Sequence, residues 1–291
     1  MAGQATGQAT AGWTEVGDGV FQRRFDPCDV TVSVVVGADG LLVVDTRCSL
    51  AEARELREHL RELSAAPVRW VVNTHIHWDH VWGNAEFVAP RQSPPAEVWG
   101  SAPMAAMMRG AATDPEAAEF KERMTGRSPE WAAKMAELEE YAPDHEVDGA
   151  HDLDLGNGRV VALRHLGRGH TDGDLVLHVP DAGVLVLGDL VEQSAPPAFG
   201  PESFPLDWAP TLDAALALAG PDARFVPGHG ETVGAEFVRE QAEAIRAVAE
   251  QCRALHAAGV PSEEALKAGE WPFPPEALTH AIPRAYQQLQ G

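Results

Sequence analysis

The segment Thr74-His75-Ile76-His77-Trp78-Asp79-His80 places four ligand-type side chains within six consecutive positions. Histidine and aspartate at this density are poorly suited to form an apolar core. Imidazole and carboxylate groups together suit zinc best, and iron or manganese is also possible. The set is richer than one tetrahedral ion requires, so the segment predicts a site for two metal ions.

This segment resembles the HxHxDH signature of the metallo-β-lactamase superfamily, with a match at each of its four defined positions. The other motifs of that superfamily have counterparts in the same order within residues 13–235: Asp45 after Leu41-Leu42-Val43-Val44, His170 in Gly169-His170-Thr171, Asp189 in Gly188-Asp189-Leu190, and His229 in Gly228-His229-Gly230. The aspartate at position 189 is similar to that of the glyoxalase II-like and general hydrolase branch, in which this carboxylate bridges two ions.

The resemblance implies a role for each of these residues. It assigns a first ion to His75, His77 and His170, a second ion to Asp79, His80 and His229, and a bridging position to Asp189. Asp45 would support the metal-binding loops without binding an ion. Two zinc ions with a hydroxide between them would supply the nucleophile and polarise the substrate, and Asp79 would orient that hydroxide or relay its proton.

The reaction expected from this resemblance is hydrolysis of an acyl bond in a thioester, a lactone or a related ester or amide. Three alternatives stay open: an iron-dependent persulfide dioxygenase, a β-lactamase-like activity, and a metal-binding sensor without turnover. Asp189 disfavours a dedicated β-lactamase, because the broad-spectrum branch has cysteine at this position. The metal that the protein contains would separate the dioxygenase from the hydrolase.

The elements that must position these residues alternate between strands and helices. Val30–Val36 and Leu41–Asp45 are apolar runs typical of buried strands, and Ser49 with Glu52 forms a capping box that predicts a helix. A second set of short apolar runs follows after residue 160. The predicted fold class is therefore α/β, a four-layer αββα sandwich with a helical insertion between its halves.

The predicted organisation has three parts: a disordered N-terminus over residues 1–12, a catalytic domain over 13–260, and a C-terminal helical extension over 261–291 that packs on the same domain. The insertion covers about residues 102–148 and contains every methionine except Met1. Methionine provides adaptable apolar surface, so the insertion is either a lid over an apolar substrate or core filler.

Aromatic side chains close to the ligand motifs form the predicted substrate wall, which consists of Trp78, Trp82, Phe199, Phe204 and Trp208. These rings favour a small-molecule substrate with an apolar part, although they could equally pack behind the ligands. The remaining histidines lie outside any motif, and we expect them on the surface or in the core: His59, His145, His151, His165, His178, His256 and His280.

The formal charge of −22 disfavours nucleic acid as a partner, because a phosphate backbone would be repelled. No apolar run approaches the roughly 18 residues that a membrane span requires, and the sequence starts without a secretory signal, so we expect a cytoplasmic protein. The three cysteines are widely spaced and predict free thiols rather than a disulfide framework. The oligomeric state cannot be predicted from these features.

Overall fold

A computed structural model describes residues 12–111 and 113–290. The N-terminus that we predicted to be disordered therefore lies, except for Gly12, outside the described residues. The strands are β1 (Thr14–Gly17), β2 (Val20–Phe25), β3 (Val30–Val36), β4 (Leu41–Val44), β5 (Val68–Val72), β6 (Glu97–Ser101), β7 (His145–Val147), β8 (Ala150–Asp154), β9 (Val160–Arg164), β10 (Val176–Val179), β11 (Val184–Glu192), β12 (Arg224–His229) and β13 (Val233–Gly234).

The helices are α1 (Leu50–Leu63), α2 (Trp78–Val81), α3 (Ala102–Ala111), α4 (Pro115–Arg127), α5 (Pro129–Glu137), α6 (Pro205–Leu218), α7 (Ala235–Ala257), α8 (Ser262–Ala268) and α9 (Ala281–Gln290). Two 3-10 turns cover Asn84–Phe87 and Pro275–Leu278. Of the described helices, none is both long enough and apolar enough to cross a bilayer.

The strands follow the order β7-β6-β5-β4-β3-β12-β11-β10-β9-β8, and β2 pairs with β1 and β3. β3 and β12 pair at Val30 and His229, and this junction joins an N-terminal half to a C-terminal half. Strands β4 to β7 are parallel in the first half, and β11 is parallel to β12 in the second. The strand ends that carry the predicted metal ligands in the two halves therefore lie near the junction of β3 and β12.

Alternation along the strands divides the apolar side chains between an inner and two outer cores. Leu42 of β4 and Val186 of β11 belong to one core between the two halves. The next residue of β4, Val43, packs outward with Leu56 of α1. In the second half, the outer core likewise combines strand β11 with helix α7. Two sheets between two helical layers confirm the predicted α/β four-layer sandwich.

Helix α1 begins as its sequence predicts. Ser49 is the N-cap, and its hydroxyl accepts a hydrogen bond from the backbone N–H of Glu52 at 3.3 Å. Ala53, Leu56 and Leu60 are buried against the first half of the sandwich. This stripe fixes α1 on the sheet, directly after the strand that ends at the Asp45 motif.

Helices α3, α4 and α5 form the insertion between the two halves. Met104 and Met124 are buried in a cluster with Trp82 and Trp131, which makes most of the methionine-rich surface part of a core. Met107 differs, because it is 38% exposed and lines the cavity beside the ligand cluster. The insertion is thus packed on the sandwich and also contributes one wall of that cavity.

The C-terminal residues pack on the second half. Ile282 and Ala285 of α9 belong to the same outer core as Ile245 of α7. The Tyr286 hydroxyl donates a hydrogen bond to the carbonyl oxygen of Val260 at 3.1 Å, which ties α9 to the connection between α7 and α8. These contacts cover the outer face of the second half.

Candidate metal centre

The predicted ligands come from loops and strand ends of both halves. His75 and His77 follow β5, while Asp79 and His80 lie on the short helix α2. His170 lies in the connection between β9 and β10, Asp189 lies within β11, and His229 ends β12. Since these strand ends meet at the junction of the halves, the fold brings all seven side chains together.

Three imidazoles and one carboxylate form the first donor group. The Nε2 atoms of His75 and His170 lie 3.0 and 2.7 Å from Nδ1 of His77. Both Nε2 atoms are also 3.5 Å from Oδ2 of Asp189. All four ligand atoms lie within 4.8 Å of one another, which is a spacing that a single bound ion can span.

Asp79, His80 and His229 form the second donor group, again with ligand atoms within 4.8 Å of one another. Oδ2 of Asp79 lies 3.4 Å from Nε2 of His229 and 3.8 Å from Nε2 of His80. Asp189 borders this group as well, because its Oδ1 is 3.3 Å from His80 Nε2 and its Oδ2 is 3.4 Å from His229 Nε2. Its carboxylate therefore lies between the two groups.

Two buried atoms at this junction lack hydrogen-bond partners among the described residues: Nε2 of His80 and Oδ1 of Asp189. An unsatisfied buried polar atom costs about 1–3 kcal/mol, so a native site needs a further group to offset it. Cations satisfy a ring nitrogen lone pair and a carboxylate oxygen at the same time. The donor set therefore fits metal ions at both positions.

Each imidazole is oriented by its second ring nitrogen. His80 Nδ1 contacts Oδ2 of Asp45 at 2.8 Å, and His75 Nδ1 contacts the Thr74 hydroxyl at 3.0 Å. His170 Nδ1 contacts the carbonyl oxygen of Ala198 at 3.0 Å, and His229 Nδ1 contacts that of Cys28 at 3.1 Å. In these four rings the acceptor at Nδ1 leaves Nε2 facing the centre as the metal-binding nitrogen, whereas His77 faces the centre through Nδ1.

Asp45 links several of these elements from a fully buried position. Its Oδ1 accepts a hydrogen bond from the Thr74 backbone N–H at 2.8 Å, and its Oδ2 accepts one from the Thr74 hydroxyl at 2.8 Å. The residue has a φ of 67°, a left-handed conformation that aspartate tolerates better than most residues. The structure thus places Asp45 behind the ligands, where it contacts His80 and Thr74.

Without bound metal, burial and neighbouring charges move the ring pKa values in opposite directions. Burial lowers the pKa of His75 well below its usual value and lowers that of His170 to about 4. Burial also opposes protonation of His229, but the negative charge of Asp189 prevails and raises the pKa of that ring to about 12. Cations are therefore attracted to the carboxylate-rich second group and can take the place of the protons there.

Two carboxylates at the centre were missed by our sequence prediction. Glu202 pairs with Nε2 of His77, although the two residues are separated by 125 positions. Glu192 is 5% exposed and forms a third donor group with Asp189 and His229. A single glutamate in a polar loop or at a strand end gives no pattern that sequence analysis could recognise.

Glycine next to the ligands permits close approach of the strands. A Cβ atom on Gly228 would lie 1.8 Å from Oδ1 of Asp189. Gly188 has a φ of 53°, and a Cβ there would meet the Thr74 side chain at 2.7 Å. Glycine at these two positions lets Asp189 reach the centre between its neighbours.

A cavity of about 650 Å³ opens beside the donor groups. Its lining includes Asp79, His170, Asp189 and His229, together with the apolar side chains of Ile76, Trp78, Trp82, Met107, Phe120 and Phe199. Trp78, Trp82 and Phe199, three of the five residues that we predicted to form a substrate wall, line this cavity. The cavity offers an apolar surface within reach of the ligand cluster.

The other two predicted wall residues lie elsewhere. Trp208 is completely buried, its ring packs edge-on against His170, and its Nε1 donates a hydrogen bond to the carbonyl oxygen of Leu190. The Phe204 ring lies under the guanidinium groups of Arg168 and Arg284. Neither residue lines the cavity; the chain turns at Pro205 into α6, and this helix carries Trp208 into the core.

Comparisons with known proteins agree with this architecture. A family model described as the metallo-beta-lactamase superfamily matches residues 25–229. The bovine (Bos taurus) protein named acyl-coenzyme A thioesterase MBLAC2 is 28% identical over 241 residues, which cover 76% of this chain and 81% of that protein. With the family model matching more than two thirds of the chain, family membership does not depend on any single relative.

Solved structures share the fold at low sequence identity. The sec-alkylsulfatase Pisa1 from Pseudomonas sp. superposes with a TM-score of 0.69 at 18% identity and covers 97% of this chain, which spans half the length of the sulfatase chain. TMB-1 superposes with a TM-score of 0.59 at 18% identity, over 80% of this chain and 95% of its own. The family match and the shared fold together show that this chain belongs to the metallo-β-lactamase superfamily of metallo-hydrolases.

Proposed function

We propose that this protein is a binuclear zinc hydrolase that cleaves the acyl bond of a thioester, or of a related ester or lactone, with an apolar acyl group. The observation that carries the proposal is the position of Asp189 between two complete donor groups at the edge of a partly apolar cavity. When bound, two divalent ions lower the pKa of a coordinated water and polarise an acyl oxygen.

The donor chemistry supports zinc at both positions. Five imidazole nitrogens and two carboxylates suit zinc, which binds nitrogen and oxygen donors readily in a tetrahedral arrangement. His75, His77 and His170 would hold one ion, and Asp79, His80 and His229 the other, with Asp189 shared. Iron and manganese accept the same donors, so the metal content of the purified protein is the first test.

Asp79 is the proposed catalytic residue of this chain. It is 8% exposed, lines the cavity and directs Oδ2 toward the rings of His80 and His229. A carboxylate in this position can orient a water molecule at the centre and accept its proton. In the metal-free protein, burial opposes ionisation of Asp79, but the positive charge of His80 outweighs it and lowers the pKa of this carboxyl group.

The cavity wall supports an apolar acyl group in the substrate. Trp78, Phe120 and Phe199 line it together with Met107, and burial of an apolar group against such rings contributes about 25 cal/mol per Å². Lys121 is the lone lysine or arginine among the described lining residues, and it pairs with Glu140. The described lining residues therefore supply no free positive charge for an anionic leaving group, and we place such a group outside the cavity, at its mouth.

The bovine relative supports a thioester in particular, because it is named an acyl-coenzyme A thioesterase and aligns over three quarters of this chain. A matched pair of substrates would test the position of the leaving group. Acyl-coenzyme A carries phosphates, whereas the S-acyl ester of N-acetylcysteamine has the same reacting bond on a neutral thiol. We expect both to be hydrolysed, with longer acyl chains preferred over acetyl in each series.

The test combines elemental analysis with thiol release from these thioesters. The proposal predicts about two zinc ions per chain and hydrolysis that disappears after treatment with a chelator and returns with zinc. About one iron per chain without zinc, together with oxygen consumption on a persulfide, would instead identify the dioxygenase alternative. Two zinc ions without cleavage of any thioester, ester or lactone would contradict the proposed reaction.

Variants at histidines separate the centre from the rest of the molecule. We expect His80→Ala to lose metal and to reduce activity at least about 100-fold, because this ring is fully buried among the carboxylates. His178→Ala and His256→Ala are matched controls, since His178 lies on β10 and His256 near the end of α7. Full metal content in His80→Ala would refute the assignment of two ions.

A further inference from the structure

Glu192 is a buried carboxylate at the metal centre for which the described part of the chain supplies no side-chain hydrogen bond or ion pair. The residue is 5% exposed and lines the cavity. Among the described residues, no donor forms a hydrogen bond with its carboxylate, and no lysine or arginine forms an ion pair with it. A buried carboxylate is costly in its charged form unless positive charge lies beside it, and a metal ion at the neighbouring donor groups would supply that charge.

The irregular pairing of β11 with β12 explains why Glu192 can reach this position. In a regular strand, residues three positions apart point to opposite faces, so Asp189 and Glu192 would not meet at one site. The register shifts between Gly188 and Glu192, where β11 has more residues than β12. This bulge pairs Glu192 with His229 and leaves Asp189 and Glu192 on the same side.

The backbone of Glu192 is held firmly in this arrangement. Its N–H donates a hydrogen bond to Oε1 of Gln241 on α7 at 3.1 Å, and the Gln241 amide donates one to the carbonyl oxygen of Leu190 at 2.9 Å. Gln241 thus pairs with the backbone N–H of Glu192 and with the backbone carbonyl oxygen of Leu190. Its contacts leave the Glu192 side chain directed to the centre.

We propose that Glu192 is a further carboxylate ligand of the metal centre on its His229 side, where it binds an ion together with Asp189 and His229. The ligand atoms of Asp189, Glu192 and His229 lie within 4.8 Å of one another. Three carboxylates at this position offset most of the positive charge of two divalent ions in a buried site. This inference rests on the proposed binuclear centre and extends its donor set beyond the superfamily motifs.

Metal affinity measured on the full chain tests this role directly. The parent protein and Glu192→Gln are stripped of metal, and zinc is returned in competition with a chromophoric chelator. The amide is nearly the same size as the carboxylate but lacks its charge. We expect one of the two zinc equivalents to lose about 10- to 100-fold in affinity, while the other is unchanged.

Two further variants make the result specific. Glu192→Asp keeps the carboxylate on a shorter side chain, so its affinity should lie between those of the parent and Glu192→Gln. Glu140→Gln removes a charge from another lining residue of the same cavity, outside the donor groups, and should leave both zinc equivalents unchanged. Cobalt(II) in place of zinc gives a second readout, because loss of a ligand changes the visible absorption of the cobalt ion that Glu192 binds.

The outcomes distinguish this inference from the proposed function. Two zinc equivalents that bind Glu192→Gln as tightly as the parent would overturn the ligand role, and a change confined to KM would assign Glu192 to substrate contact instead. If the parent itself bound a single equivalent, the binuclear hydrolase proposal would fail first. Loss of affinity for both equivalents to the same extent would also overturn the assignment to one ion.

Discussion

Substitution of Asp45 by asparagine should weaken metal binding at both positions, although Asp45 binds no ion in the proposed centre. Its Oδ2 accepts a hydrogen bond from Nδ1 of His80, a ligand of the second position. The same oxygen accepts one from the Thr74 hydroxyl, which in turn contacts Nδ1 of His75, a ligand of the first position. One carboxylate thus orients a ring in each donor group.

The size of the effect follows from these contacts. A hydrogen bond to a charged group contributes about 1.5–3 kcal/mol, and about 1.4 kcal/mol corresponds to a factor of ten in affinity. The asparagine NH₂ group would occupy the position of one of the two carboxylate oxygens. It would then face either the Thr74 backbone N–H, or His80 Nδ1 and the Thr74 hydroxyl. In either orientation a hydrogen bond is replaced by a repulsive contact between two donors. We therefore expect each zinc equivalent to bind about 10- to 100-fold more weakly.

The assay is competition with a chelator, supported by a denaturant titration of the metal-free proteins. Asparagine tolerates the left-handed backbone at position 45, so the change tests the side chain rather than the turn. Asp144→Asn is a suitable control, because that carboxylate also accepts a backbone N–H, from Val98 at 2.9 Å, but lies away from the centre. Parent-like affinity for both equivalents in Asp45→Asn would refute the reasoning.

Three further predictions follow from other features of the site. Gly228→Ala should reduce zinc content, measured by elemental analysis, because its Cβ would displace the Asp189 carboxylate; normal content would contradict this. Phe120→Ala should lower kcat/KM about tenfold for long acyl thioesters but little for acetyl thioesters, and an equal loss for both would rule out an acyl-binding wall. Burial raises the pKa of Asp174 to about 7 in the metal-free protein, so the folded state binds its proton more tightly than the unfolded state does. The free energy of unfolding should therefore fall as pH rises from about 4 to about 7, and denaturant titrations of Asp174→Asn should show a flatter dependence.

The strands and helices of the sandwich are predicted well where a short stretch of sequence shows which side chains are buried or where a helix begins. Apolar runs such as Val30–Val36 are buried on both faces and become central strands, and the capping box at Ser49 marks the start of α1. Helix α6 was not among the elements that we predicted from the sequence. Its buried face includes Trp208 and Leu212, but apolar residues on several sides leave no clear amphipathic period for prediction.

The residues of the metal centre also differ in whether the sequence alone could predict them. His75, His77, Asp79 and His80 are adjacent in the sequence, so their chemistry is visible before any fold is known. Glu202 reaches His77 only because the segment after β11 folds back across the cavity. Its contact depends on tertiary structure, and nothing in the local sequence distinguishes it from a solvated surface glutamate.

The proposed chemistry and the proposed selectivity come from different parts of the fold. Residues that would hold the ions come from strand ends of the two halves, whose geometry is fixed by the sheet. The apolar wall opposite them includes Met107 and Phe120, which belong to the helical insertion. Changes in the insertion can therefore alter the acyl group that is accepted while the donor geometry stays the same. Acyl-chain preference should respond to substitutions at these two positions, whereas zinc content should not.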